Sequence, residues 1–423
     1  MSAAYRSETR PRRRLLPRKT GIVAFLAVLG PGVITAAADN DAQGITTYSL
    51  TGAETGHKLL WILPIAIAML MLTQEMGARL GMASGKGLAA LIRERFGARS
   101  AAIAMVLLLV SNIGTTAAEF AGIAIALSIV HVSPFISVPV AAVLIMVLVM
   151  RGSYRRVERV FVLMAAIFLS YIVSGLLSHP NWGDATRGLL VPTLTPASTM
   201  LIFAVSVVGT TITPWGQFLI QALVVDKRLS GDEMRMERGD IMLGNFIAGL
   251  VAFFIILACA TTINATGLRI IDAGDAAKAL APLAGSFAAF LFGLGLLNAS
   301  FLATGILPLS TAYAVCEALG FELGLDRKVR EAPVFYGTFV FSIVVGAVIV
   351  LLPFTSVLSI LFLSATINGL LLAPVLMFTL VLANDRDIMG PFRNGRVANI
   401  LAVITVVAVS ALALAFVGFS LFG

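Results

Sequence analysis

Gly30-Pro31-Gly32-Val33-Ile34-Thr35-Ala36-Ala37-Ala38-Asp39-Asn40-Asp41-Ala42-Gln43-Gly44 lies inside a hydrophobic run of membrane-crossing length. Glycines, a proline and two carboxylates interrupt its apolar pattern. A charged side chain near the bilayer centre costs roughly 2.5–3.5 kcal/mol on insertion scales, so each aspartate needs a partner or a purpose. Glycine and proline beside them predict unwound backbone, which at membrane depth is tolerated only where it lines a cavity or is buried in protein. A broken helix that carries carboxylates is the pattern of an ion site in a transporter.

The rest of the chain is built for the same medium. It is 59% hydrophobic and 12% charged, where soluble domains carry about 25% charged residues. Eleven hydrophobic runs are read near 21–54, 58–80, 101–130, 134–150, 157–178, 199–225, 240–264, 284–316, 331–352, 355–383 and 397–421. Most reach the ~20 residues that a spanning helix needs. They are continuous rather than alternating, which excludes a β-barrel. The expected fold is all-α and polytopic, with about 11 transmembrane helices.

Positive charge orients it. With the N-terminus in the cytoplasm, every one of the 30 Lys and Arg except Lys58, Arg187, Arg269 and Lys278 falls on the inner side. An odd number of spans then places the C-terminus outside. Topology accounts for the net charge of +8, so no nucleic-acid partner is expected; the bilayer is the partner. No small-residue cleavage site follows the arginine-rich start, so the first run is read as a retained helix. Cys259 and Cys316 both lie inside apolar runs and indicate no disulfide framework. The expected location is a bacterial cytoplasmic membrane and the expected state a monomer.

The sixth run repeats the anomaly of the first: Val208-Gly209-Thr210-Thr211-Ile212-Thr213-Pro214-Trp215-Gly216-Gln217. Pro214 removes a backbone donor, and the flanking glycines ease unwinding. Two matched breaks five spans apart place two five-helix halves in opposite orientation. That is an inverted-repeat transporter with its site between the breaks. The expected organisation is a basic tail over 1–20, repeats over 21–178 and 179–383, and a loop with an eleventh helix over 384–423.

Further segments carry a family resemblance. They are Leu59-Leu60-Trp61 through Gln74, Ala78-Arg79-Leu80-Gly81, Gly85-Lys86-Gly87-Leu88-Ala89, Gly114-Thr115-Thr116-Ala117-Ala118-Glu119, Tyr154-Arg155-Arg156-Val157-Glu158, Pro180-Asn181-Trp182 and Met389-Gly390 with Asn394. In this order and spacing the chain resembles the NRAMP divalent-metal transporters over almost its whole length. The resemblance implies a LeuT-like fold, a divalent metal substrate with no cofactor, and frequent proton coupling. Counted from Gly30-Pro31-Gly32, the family's Asp-Pro-Gly-Asn falls on Asp41-Ala42-Gln43-Gly44, so the aspartate stays and the asparagine ligand becomes Gly44. The family's Met-Pro-His becomes Thr213-Pro214-Trp215, which removes the thioether and the histidine. The aspartate of the family's proton route aligns with Thr116, whereas Glu119 is retained. These departures resemble the NRAMP-related magnesium transporters.

The metal ligands expected are Asp41 first and Asp39 second, with a backbone carbonyl of Thr210, the hydroxyl of Thr213, the amide of Asn368 and the space left at Gly44. A helix cap is the alternative role for Asp41, and an intrahelical bond for Thr213. Oxygen-only shells suit hard cations such as Mg²⁺ and Mn²⁺. Glu119, Thr116 and Trp215 are the positions read for proton passage or gating, with Glu119 alternatively paired to Arg79. Glu54 and Glu75 fall near opposite membrane faces, where either can simply be solvated, and neither is assigned a role. The function expected is alternating-access import of Mg²⁺ or Mn²⁺, with Fe²⁺ also within reach and proton coupling weak or absent. The alternatives are a LeuT-fold carrier of amino acids or other organic solutes and an ordinary proton-coupled Mn²⁺/Fe²⁺ transporter. No nucleophile–base constellation points to an enzyme.

Overall fold

A computed structural model describes residues 35–36, 39–151, 169–193, 198–229, 233–267, 288–325, 327–352 and 357–422. The described chain is helical throughout. In order the helices are α1 (Ala42–Thr55), α2 (Ile62–Ser84), α3 (Leu88–Ser128), α4 (Pro134–Arg151), α5 (Leu169–Leu177), α6 (Trp182–Leu190), α7 (Ser198–Thr211), α8 (Pro214–Asp226), α9 (Met234–Thr262), α10 (Ala288–Leu319), α11 (Pro333–Leu351), α12 (Val357–Asn384), α13 (Arg386–Met389) and α14 (Arg396–Phe422). Nine stretches among the described residues are long and apolar enough to cross a membrane. The first and fifth predicted runs are described only in part, as α1 and α5, and the Gly30-Pro31-Gly32 and Tyr154-Arg155-Arg156 motifs lie outside the described residues.

The helix ends follow local chemistry. Residues 88–128 form one long element with a kink at Gly97, whose φ of 86° only glycine adopts readily. This is why the third apolar run, read from 101, starts later than its helix: the polar turns around Arg93–Arg95 are helical too. α6 is a short surface helix capped by Asn181, whose side chain accepts from the backbone of Gly183 and Asp184. The sixth run is two helices, because α7 ends at Thr211 and α8 begins at Pro214. Proline at the first helical position lacks only an N–H that would be unpaired anyway, so it starts α8 rather than kinking a continuous helix.

Packing puts small residues at helix crossings, the rule where lipid supplies no hydrophobic drive between helices. The longest contact is α3 against α10. Gly122 of α3 faces Ser300 and Ala42, Gly52 of α1 faces the Ile256 carbonyl of α9, and Gly209 of α7 faces Ala365 and Gly369 of α12. α4 and α14 lie at the periphery, and Phe135, Ile136, Val140, Val397, Ile400 and Leu414 turn outward as a lipid-facing belt. Cys259 and Cys316 are free and buried.

Glu75 departs from the solvated state that its position allows. It is buried and binds Arg79 at 3.0 Å and Arg238 at 2.5 Å. Arg79 also donates to Phe392 O at 3.0 Å and Asn394 Oδ1 at 2.6 Å. It therefore pairs one turn along its own helix and with the loop after α13, and does not reach Glu119.

A Cβ at Gly52 would collide with the Ile256 carbonyl, which cannot move aside as a flexible side chain could. Overpacking of this kind costs about 1–3 kcal/mol. Gly52→Ala is expected to lower the melting temperature of the purified protein. Gly114→Ala, which meets nothing within 4 Å, is expected to leave it unchanged or raise it.

Candidate metal site between two interrupted helices

The first interruption spans Asp39–Asp41. The amide of Asp39 still closes a helical turn onto Thr35 O at 3.0 Å, and Ile45 N opens α1 by donating to Asp41 O at 2.9 Å. Asp41 is the N-cap of α1, extended at φ −73° and ψ 179°, with its side chain accepting from Gly44 N. That bond is 2.6 Å long. The second interruption is Ile212–Thr213: Ile212 N ends α7 on Val208 O at 2.8 Å, and Thr213 caps α8 with extended backbone and no side-chain cap bond.

Released from capping, the Thr213 hydroxyl donates to Asp39 Oδ1 at 3.2 Å. The two breaks are thus joined directly. Asp39 Oδ2 accepts from Gln74 Nε2 of α2 at 3.4 Å, and Gln74 Oε1 accepts from Asn245 Nδ2 of α9 at 2.9 Å. Asp39 and Asp41 are 3% and 1% exposed, Thr210 and Thr213 1% and 2%. All four side chains are buried.

Gly44 marks the point of convergence. A Cβ built there would lie 3.0 Å from Asp39 O, 3.2 Å from Asp41 Oδ1 and 3.5 Å from Thr210 Oγ1. Gly44 is therefore packed against three oxygens drawn from both broken helices, too closely for a Cβ unless a neighbour gives way, so the room expected at this position is taken up by the oxygens themselves. Thr210 Oγ1 is buried without a hydrogen-bond partner, so Thr210 presents its hydroxyl where the sequence reading expected its carbonyl. No group of three or more His, Cys, Asp or Glu forms a cage among the described residues. The Asp41 carboxylate, the Thr210 hydroxyl and the Asp39 carbonyl that meet there are a donor set for a hard cation that keeps part of its water.

Glu119 of α3 completes the electrostatics. Its Oε2 accepts from Ala42 N at 3.0 Å, and its carboxyl lies beside that of Asp41. The first turn of a helix has free N–H groups and a positive dipole end, and both favour anions. Two carboxyl groups side by side need a proton or a cation between them.

The remaining predicted positions stand further out. Asn368 of α12 is buried but donates to Thr115 Oγ1 at 3.1 Å and accepts from Ser111 Oγ, both on α3. It connects to the site only through Thr115, Ser364 and Gln43, linked at 2.9 and 3.2 Å. Thr116 donates to Asn112 O of its own helix at 2.7 Å, with its methyl against Gly346 of α11. Trp215 is wholly enclosed in the main core, its carbonyl accepting from Ser310 Oγ at 2.9 Å. Gln43, Gln74 and Asn245 were not among the site residues read from the sequence. Their signal was available, as amides inside apolar helices, but which of them face the breaks depends on helix rotation.

A family model described as natural resistance-associated macrophage protein-like matches residues 32–418. The divalent metal cation transporter MntH of Burkholderia ambifaria is 30% identical over 305 residues, covering 70% of this chain and 69% of that protein. MntH of Pectobacterium carotovorum is 30% identical over 402 residues, covering 91% and 92%. The crystal structure of the Eremococcus coleocola manganese transporter superposes with a TM-score of 0.81 at 21% identity, covering 94% of this chain and 88% of that one. The fold is accordingly the LeuT-like inverted repeat, with helices one and six interrupted. A match that spans nearly the whole chain, together with these relatives, establishes that the protein belongs to the Nramp family.

Proposed function

We propose that the protein carries divalent metal cations inward by alternating access, with Mg²⁺ and Mn²⁺ as substrates and with little or no proton coupling. One observation carries the proposal: the Asp41 carboxylate, the Thr210 hydroxyl and the Asp39 carbonyl converge beside Gly44. The printed names of the relatives, divalent metal cation and manganese transporters, support the same substrate class. Thr213 in place of a thioether removes the soft ligand that would favour transition metals over Mg²⁺. The basic loops support an orientation with the N-terminus inside.

Weak coupling is supported by what lies around the Asp41–Glu119 pair. That pair can hold a proton, but Thr116 bonds its own helix and Trp215 offers an indole where a histidine would titrate. One observation favours the second reading, proton-coupled manganese transport of the ordinary family type: Glu119 is retained and lies beside Asp41. An organic-solute carrier would hold its substrate's carboxylate on these half-helix ends, which Asp41 and Glu119 already occupy.

Uptake into proteoliposomes with a lumenal pH dye tests the proposal. Mg²⁺ and Mn²⁺ are both expected to enter while the dye stays flat. Charge-assisted contacts are worth about 1.5–3 kcal/mol, so Asp41→Ala is expected to cut uptake ~10–100-fold. Entry of Mn²⁺ alone, with acidification in step, would establish the second reading instead. Thr213→Met tests selectivity: it should raise Mn²⁺ and Cd²⁺ uptake relative to Mg²⁺. An unchanged ratio would place position 213 outside the ion's reach.

A further inference from the structure

A cavity of about 210 Å³ lies between α3 and α12 and reaches Pro214, the first residue of α8 at the second break. α3 lines it from Ser100 through Ile103 and Ala104 to Leu108, and α12 from Leu371 through Pro374 to Phe378. Both stripes keep the three-and-four spacing of a single helix face. Each runs about 10–12 Å along its helix. Ser100 and Phe378 mark the end toward the basic loops, where Phe96 packs on Phe378 with ring centroids 4.9 Å apart. Leu108, Leu371 and Pro214 mark the deep end.

The walls say what fills it. They are apolar apart from Ser100, whose hydroxyl is spent on Phe96 O at 3.0 Å. A buried water needs ~2–4 polar partners, and an apolar cavity of ~150 Å³ stays dry and takes up a hydrocarbon instead. Left empty, it forfeits the dispersion contacts of its walls. Leu108, Val375 and Pro214 are buried at the floor, whereas Ile103 is 63% and Leu107 40% exposed at the rim. The cavity therefore opens sideways, toward lipid. Arg99 precedes Ile103 by one helical turn and carries the same rim toward the basic loops. It is exposed, and no ion pair among the described residues holds it. Arg95 lies beyond the Gly97 kink, bound to Asp385 at 3.0 Å. Basic side chains beside spanning helices attract the phosphates of anionic lipids.

We propose that one acyl chain of an anionic phospholipid occupies this cavity, with its phosphate on Arg99 and its tail against Pro214. The site is separate from the ion site and does not depend on which cation is carried. The tail of a zwitterionic lipid fits the same walls, so the headgroup contact with Arg99 is what selects. Pro214 directly follows Thr213, which bonds Asp39 across the two breaks. A chain seated there packs against the second break itself.

Tryptophan quenching by brominated lipid tests this. Trp215 follows Pro214 and is wholly enclosed, so it is shielded from lipid outside the cavity. Trp61→Phe and Trp182→Phe leave it the sole emitter of the chain's three tryptophans. The full-length protein is placed in phosphatidylcholine vesicles that contain rising fractions of dibrominated phosphatidylglycerol or dibrominated phosphatidylcholine. The anionic lipid is expected to quench Trp215 at an about fivefold lower fraction, the worth of one basic side chain at the surface. Arg99→Gln should remove that preference, and unbrominated phosphatidylglycerol in excess should restore the fluorescence. Ala104→Phe, which fills the cavity, should abolish quenching; if it does not fold, the competition with unbrominated lipid decides. Equal quenching by the two lipids would overturn the proposal. So would a preference that survives Arg99→Gln, or no quenching by either lipid.

Discussion

The free N–H groups that open α1 are the constraint from which the site follows. An interrupted helix at membrane depth exposes donors that no water or lipid can satisfy. Here two carboxylates satisfy them, Asp41 from the cap itself and Glu119 from α3. The second bond ties the broken helix to the longest helix of the chain, which in turn lies along α10. It also concentrates carboxyl groups at membrane depth. The same backbone need that pins α1 in place therefore creates the demand for a cation.

Small residues let this arrangement close. Gly122 lies one turn from Glu119 and allows α10 and the start of α1 to approach α3 at Ser300 and Ala42. Gly209 brings α7 against the backbone of α12 just before the second break. Gly44 serves a close approach as well: without a Cβ it lets Asp39 O, Asp41 Oδ1 and Thr210 Oγ1 come together at the breaks.

Much of this was legible in the sequence because membrane-spanning runs and their interruptions are local signals. The apolar runs mark the helices, Asp39–Asp41 marks the first break, and Thr213-Pro214 marks the second. What was not legible is rotation. Asn368 looked poised for the site from its mid-membrane position, yet α12 turns it onto Ser111 and Thr115. Arg79 was a candidate partner for Glu119, but its nearest acid was Glu75, four residues back on the same face. Nothing local links Gln74 and Asn245, and only the packing of α2 against α9 joins them to Asp39.

Asp41 resolves an opposition drawn at the outset, between a helix-capping aspartate and an ion ligand. The cap bond uses Oδ1, which lies on the Gly44 side beside Asp39 O and Thr210 Oγ1. A carboxylate oxygen has two lone pairs, so one can accept from a backbone N–H while the other faces a cation. Capping therefore orients the ligand rather than consuming it. The bond to Gly44 N holds the carboxylate in a single rotamer, which lowers the ordering cost of binding. It also couples the ion to the first turn of α1. A substitution that keeps the charge but shifts the oxygen, Asp41→Glu, is therefore expected to weaken ion binding and fray the start of α1 together. Asp39→Glu, at a residue that caps nothing, should affect binding alone. Hydrogen exchange at the amides of Gly44 and Ile45, measured beside Mn²⁺ titration for the two variants, separates these outcomes.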